Sequence, residues 1–354
     1  MSKILIQKLL DQMKQYEKDD IRIMEVCGTH TQSIAKYSIT SLIPHEIKLI
    51  SGPGCPVCVT PEIFIDNAIK LLLQEHVILT TFGDMLRVQG SSESLDEQRI
   101  KGKKAVIVYS PFDIIEIAQN NPYKLIIFLS VGFETTAPII ASMIKVLEEK
   151  SIRNIKFLTS LKLIPPILKE VLKRHKNNLN GILCPGHVAT VMGENYFHFI
   201  SDEFHIPSVI CGFDALDIIG GIYLIRKSID ERHIARCSNT YKKCVYPQGN
   251  IKARSLIDEV FRVKGGLWRG IGFIENSALV FNEKYHKYDA AVQFKLDDTI
   301  DNTDSQCDCS HILLGEKSPS ECKMFGKICS PHNPKGPCMV SSEGACSIYY
   351  RYKR

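Results

Sequence analysis

Up to about residue 235, short apolar runs rich in β-branched residues alternate with stretches whose apolar residues recur at helical spacing. A chain with that rhythm has few folds open to it, because parallel strands joined by crossover helices are the arrangement that buries such runs on both faces. Strands are expected over 21–26, 47–51, 77–81, 105–109, 125–131, 155–159, 181–184 and 208–211. Between them, 62–74 and 137–149 carry helical spacing. The fold class read from this is α/β: two similar parallel-sheet domains around a cleft, followed by a small Cys-rich domain.

The loops after these strands are unusual: CGTHT from Cys27, SGPGCPVC from Ser51, TTFGDMLR from Thr80, SVGFETTAP from Ser130, CPGHVATVMG from Cys184 and CGFDALD from Cys211. Open α/β sheets bind ligands at the carboxyl ends of their strands, so these loops should converge on one cleft. Pro53-Gly54 precedes Phe82-Gly83-Asp84 by about the interval that separates Pro185-Gly186 from Gly212-Phe213-Asp214, an echo that two related halves would produce. The expected domains are 1–120, 121–240 and 241–354. Beyond Arg236 the pattern becomes less regular, with one helix expected over 251–262.

Six of the 13 cysteines lie between Cys307 and Cys346. That tail is too rich in Cys, Pro and Gly to build an apolar core, so a metal centre is expected to hold it together. Its spacing is C-x-C-x12-C-x6-C-x8-C-x7-C, through Cys307, Cys309, Cys322, Cys329, Cys338 and Cys346. An iron-sulfur cluster takes four thiolates and leaves two over. Zinc modules usually pair their ligands as close knuckles, and only Cys307 and Cys309 lie that near each other. The spacing resembles that of ferredoxin:thioredoxin reductase, where a cluster sits beside a reducible disulfide. By that resemblance Cys307, Cys322, Cys329 and Cys346 would hold a [4Fe-4S] cluster, and Cys309 with Cys338 would form a dithiol.

Cys55-Pro-Val-Cys58 lies between a strand and a helix, a position that favours thiolate and suits a dithiol/disulfide pair. Half of a metal site, or two packed inert thiols, would read the same way. Cys27 closes the strand IRIMEVC and has His30 three residues on. A thiolate there could be a soft ligand for iron, with His30 hydrogen-bonding it or taking its proton; a buried strand-end cysteine beside an unrelated histidine is the plainer alternative. Asp84, Arg87, Glu134 and His187 belong to the same rim and could orient a ligand, cap a helix or bridge the halves. Cys184 and Cys211 read as buried strand ends, Cys237 and Cys244 carry no partner signature, and the single tryptophan, Trp268, reads as packing.

The 44 basic residues against 39 acidic ones are dispersed, without a nucleic-acid stripe. No apolar run is long enough to cross a bilayer. The N-terminus has neither an apolar h-region nor a cleavage site, so a cytoplasmic protein is expected, and in a reducing compartment an odd cysteine count points to metal or redox chemistry.

Taken together, MEVCGTHT, SGPGCPVCVTP, TTFGDMLRV, SVGFETTAP, CPGHVATVMG, ICGFDALDI and FGKICSPHNPKGPCMVSSEGACSIYY resemble the hydrogenase maturation protein HypD family, from about Ile21 to Tyr350. The resemblance implies a scaffold that assembles the Fe(CN)2CO group of [NiFe]-hydrogenase. It implies a HypC-type chaperone whose cysteine shares the iron with Cys27, and cyanide arriving from HypE, working with HypF, as a thiocyanate. On that likeness the chain acts as a monomer within a hetero-complex. His30 would neighbour the iron ligand, Cys55 and Cys58 would be the reversible dithiol beside it, and Cys309 with Cys338 would pass electrons to that dithiol. The competing readings are a stand-alone disulfide reductase built like ferredoxin:thioredoxin reductase, and a zinc-stapled interaction protein.

Overall fold

The computed structural model describes residues 2–16, 20–175, 178–232, 236–297 and 307–352. Its strands are β1 (Ile21–Glu25), β2 (Ile47–Ser51), β3 (Val77–Thr81), β4 (Ala105–Ile107), β5 (Leu125–Gly132), β6 (Ile155–Lys162), β7 (Gly181–Pro185), β8 (Ser208–Cys211), β9 (Ser238–Asn239), β10 (Phe261–Trp268) and β11 (Gly272–Phe281). They form two sheets, ordered β2-β1-β7-β8-β9 and β10-β11-β6-β5-β3-β4. The first is parallel throughout, and the second is parallel from β6 to β4 with an antiparallel hairpin on its edge. The α/β expectation with two sheets and a Cys-rich region is met.

Relabelled within itself, the first sheet runs 2-1-3-4-5 and the parallel part of the second runs 2-1-3-4. Both therefore have a topological switch point, between β1 and β7 in one and between β3 and β5 in the other, and ligand crevices open at such points. The chain leaves the first sheet after β2, builds the second from β3 to β6, and returns at β7. Sheet membership thus cuts across the expected borders at 120 and 240. Strands from 1–120 lie in both sheets, as do strands from 121–240, because each sheet is closed by hydrogen bonding rather than by sequence order.

β5 shows why these runs become central strands: in LIIFLSVG every residue but the first is buried, since helices cover both faces. The helix Ala137–Glu149 follows it and buries Ile140, Ala141, Met143, Ile144 and Leu147. The expected helix over 251–262 stops at Val260, and Phe261 turns extended to begin the β10–β11 hairpin. That hairpin goes unread in the sequence because Gly265-Gly266 and exposed charged residues interrupt its alternation. Among the described residues no helix is long and apolar enough to cross a membrane.

Candidate functional site

Cys27 sits at the first switch point, as the extended residue that caps the helix Gly28–Lys36. The preceding strand carries Glu25, a carboxylate buried to 2% exposure. Its Oε2 accepts the Cys27 N–H at 3.0 Å and its Oε1 accepts the Thr31 hydroxyl. Burial pushes the Glu25 carboxyl up to about 8. It pushes the Cys27 thiol up to about 12 as well, opposed by the backbone N–H groups of His30 and Thr29, which donate to the sulfur. In the absence of a cation this thiol stays protonated; a metal would compete directly with the proton.

His30 is completely buried, and burial lowers its imidazole to about 4, so it is neutral at pH 7. Nε2 lies 3.0 Å from the Gly212 carbonyl, which assigns the proton to that nitrogen, and 3.6 Å from Cys211 Sγ. The ring packs on Phe213 at 4.7 Å, and His187 stacks on the other side of Phe213 at 4.0 Å. His30 therefore approaches Cys27 through its backbone N–H, while its ring ties the Cys27 loop to the Cys211 loop.

Cys55 and Cys58 are joined as a disulfide at the start of the helix Pro56–Val59, with Cα atoms 5.3 Å apart. The Cys58 N–H donates to Cys55 Sγ at 3.2 Å. Because β1 and β2 are adjacent and parallel, their loops touch: Gly28 N–H donates to Gly54 O at 3.3 Å. A Cβ built on Gly54 would stand 2.3 Å from the Cys27 nitrogen, so only glycine lets the two loops approach this closely. We expect Gly54→Ala to cost about 2–4 kcal/mol and to shift the Cys27 loop. Thermal unfolding and the reactivity of Cys27 toward a maleimide read the two effects; a variant matching the wild type in both would contradict the packing described.

The tail closes over the same loops. A Cβ on Gly28 would lie 2.5 Å from Glu343 Cβ, and Thr29 donates its hydroxyl proton to Glu343 Oε1 at 3.2 Å. The helix Ala345–Tyr352 packs against Gly28–Lys36. Asp84 accepts from Ser341 Oγ, Ser342 N and Ser342 Oγ at 3.2, 3.0 and 3.3 Å, and Arg87 donates to the Pro331 carbonyl. Both rim residues thus dock the tail.

Glu134, at the second switch point, is fully buried. Its Oε1 accepts the Ile164 N–H at 2.7 Å and the Tyr196 hydroxyl at 2.8 Å. Burial outweighs those bonds and pushes the carboxyl up to about 7. The folded state therefore holds a proton that the unfolded state releases near pH 4.5, so stability falls as pH rises from there through about 7. Across that window the loss is on the order of 3 kcal/mol. Glu134→Gln should flatten it, which melting curves at pH 5 and pH 8 would show; an unchanged pH slope would contradict the assignment.

Of the six tail cysteines, Cys309, Cys322, Cys329, Cys338 and Cys346 are buried and Cys307 is partly so. Cys309 shares thiol hydrogen bonds with both Cys307 and Cys338. Cys346 is driven well above the usual thiol range by burial and then by the proximity of Cys309, Cys307, Cys329 and Cys322. Lys335 N–H donates to Cys329 Sγ at 3.4 Å, and a Cβ on Gly336 would stand 2.4 Å from Cys307 Sγ and 2.7 Å from Cys309 Sγ. Among the described residues no three or more His, Cys, Asp or Glu side chains surround one point as a single ion requires. Buried thiols gathered in one region, with backbone N–H groups donating to sulfur, are the kind of donors an iron-sulfur cluster would use.

Glu25, Phe213 and Glu343 lie within the quoted motifs without being singled out there, and Tyr196 lies outside them; a carboxylate in the mostly apolar strand IRIME is the signal that could have marked Glu25. Cys184, in β7, shares a thiol contact with Cys237, which precedes β9.

Two sheets that each have a switch point, thiols at the first of them and a Cys-rich tail docked across its loops describe an α/β protein with a thiol-rich candidate site. The family model described as "HypD: Hydrogenase formation hypA family" matches residues 3–353. The chain belongs to this HypD family, whose members are hydrogenase maturation factors. A putative hydrogenase expression/formation protein of Methanocaldococcus jannaschii is 38% identical, with 99% of this chain and 98% of the relative covered. The hydrogenase maturation factor HypD of Escherichia coli is 37% identical over 94% of this chain and 90% of its own length, and that of Azotobacter vinelandii is 38% identical over 95% and 90%.

Proposed function

We propose that this chain is the scaffold on which the Fe(CN)2CO group of [NiFe]-hydrogenase is assembled, with Cys27 as its thiolate for the iron and Cys55–Cys58 as the adjoining redox pair. The observation that carries this reading is the backbone contact between the Cys27 and Cys55 loops, Gly28 N–H to Gly54 O at 3.3 Å. Iron bearing cyanide and carbonyl is soft, and thiolate is the side chain that matches it. One thiolate leaves the metal open, as a cargo that must be passed on requires, and a HypC-type partner cysteine would complete the shell.

Cyanide would arrive from HypE, working with HypF, as a thiocyanate on the partner's sulfur. Its release is a two-electron reduction: thiocyanate and the Cys55/Cys58 dithiol give the partner thiol, hydrogen cyanide and the Cys55–Cys58 disulfide. That disulfide is the form the structure contains. Exchange with the Cys309/Cys338 dithiol would restore it, since the helix Pro56–Val59 packs against Pro337–Val340, which carries Cys338. A cluster on Cys307, Cys322, Cys329 and Cys346 would supply electrons one at a time.

Thiol trapping tests the relay. Anaerobic protein treated with a one-electron donor should lose the Cys55–Cys58 disulfide, as read by alkylation and peptide mass spectrometry, and Cys338→Ser should retain it. Equal reduction in both proteins would overturn the route through Cys338. Assembly is expected in the cytoplasm.

A further inference from the structure

The turn of the β10–β11 hairpin, residues 269–271, is wedged between the disulfide helix and the tail. On one side Arg269 N–H donates to Val59 O at 3.0 Å, at the end of the helix that carries Cys58. On the other, a Cβ on Gly270 would lie 2.9 Å from Ser310 Cβ, one residue from Cys309. The Arg269 side chain spans the junction: Nη1 donates to Gln89 O at 3.0 Å and Nη2 to Glu62 Oε1 at 2.7 Å. Both charged side chains are nearly buried, at 8% and 10% exposure.

We propose that the Arg269–Glu62 pair sets the charge beside the tail thiols, and so fixes the reduction potential of the group that Cys307, Cys322, Cys329 and Cys346 hold. This rests on the cluster reading of the tail given above. In a water-poor interior the charge of a guanidinium reaches further than at a surface. The chain neighbour of Arg269, Gly270, stands against Ser310, next to Cys309, which places that charge at the edge of the tail. A cation stabilises the more negative, reduced state of a thiolate-held centre, and Glu62 masks part of that cation. The two partners therefore act with opposite signs on the potential while acting with the same sign on stability.

The experiment is a potentiometric titration of the anaerobically purified full-length protein, followed by electron paramagnetic resonance, with melting temperatures in parallel. Arg269→Gln should lower the potential by about tenfold in the one-electron equilibrium, about 59 mV, and Glu62→Gln should raise it by a similar amount. Arg269→Lys, which keeps the charge but loses the guanidinium fork, should stay within about twofold of wild type yet melt lower. The double variant, which leaves no unpaired charge, should return toward wild type and keeps the test open if a single variant fails to fold. Potentials that move together in Arg269→Gln and Glu62→Gln, or that follow melting temperature instead of charge, overturn the proposal alone. A wild-type protein with no reducible iron-sulfur signal overturns it together with the reading of the tail.

Discussion

Cys27→Ala should abolish retention of the iron group and hydrogenase maturation, while the tail keeps its metal-dependent absorption and the melting temperature changes little. The large functional effect follows from position. Cys27 is the thiol at the β1/β7 switch point with two backbone N–H groups aimed at its sulfur, and no neighbouring side chain can replace it: Cys211 is completely buried and Cys184 faces Cys237. The small structural effect follows from what the substitution leaves intact. Glu25 holds the Cys27 backbone nitrogen, not the sulfur, so the loop keeps its anchor, and removing one sulfur at 8% exposure costs about 1 kcal/mol. Iron analysis of the purified protein and its absorption spectrum separate these effects, and loss of the tail signal with the iron would show that Cys27 is structural.

Cys329→Ser should have the other large effect, releasing the tail. Its thiol is buried, accepts the Lys335 N–H, and lies within electrostatic reach of Cys307 and Cys322. The helices of 307–352 are short, and five buried cysteines stand among the few apolar side chains, such as Leu313, Leu314 and Met339, that pack the tail onto the sheets, so the thiols make up a large part of its interior. Without the metal group, the thiols are left as poorly packed polarizable groups, and the contacts of Glu343 with Gly28 and of Asp84 with Ser341 and Ser342 lose their support. We expect loss of the cluster absorption and cleavage of the tail by trypsin at least about tenfold faster than in wild type, since proteolysis tracks the open population. A variant that keeps its absorption and its resistance would remove Cys329 from the ligand set.

Much of the architecture can be read along the chain because buried parallel strands announce themselves: 47–51, 77–81 and 208–211 appear as strands with the expected limits. Of the loops that follow the strands, those after β1 and β2 meet, because adjacency of these two strands puts the Cys27 and Cys55 loops in contact, whereas those after β3 and β5 belong to the second sheet. What could not be read is the partition between sheets. Hydrogen bonding carries β7 back to β1 across most of the intervening chain, and no local signal records that return. The internal echo misleads in the same way: its loops follow β2 and β3 in one case and β7 and β8 in the other, which are not equivalent positions, although the two sheets do share a 2-1-3-4 order. Asp84 and Arg87 look like rim chemistry in the sequence and turn out to hold the tail, because their partners lie more than two hundred residues away. Arg269 carries no motif at all and is found only through the contacts that its hairpin makes.

Infrared spectroscopy of the chain purified with the proposed HypC-type partner tests the central claim most directly. Cyanide and carbonyl stretching bands should be present in the wild-type complex and absent from the Cys27→Ala complex, whose tail absorption persists. A wild-type complex that supports maturation yet shows no such bands, or a Cys27→Ala complex that retains them, would contradict the account.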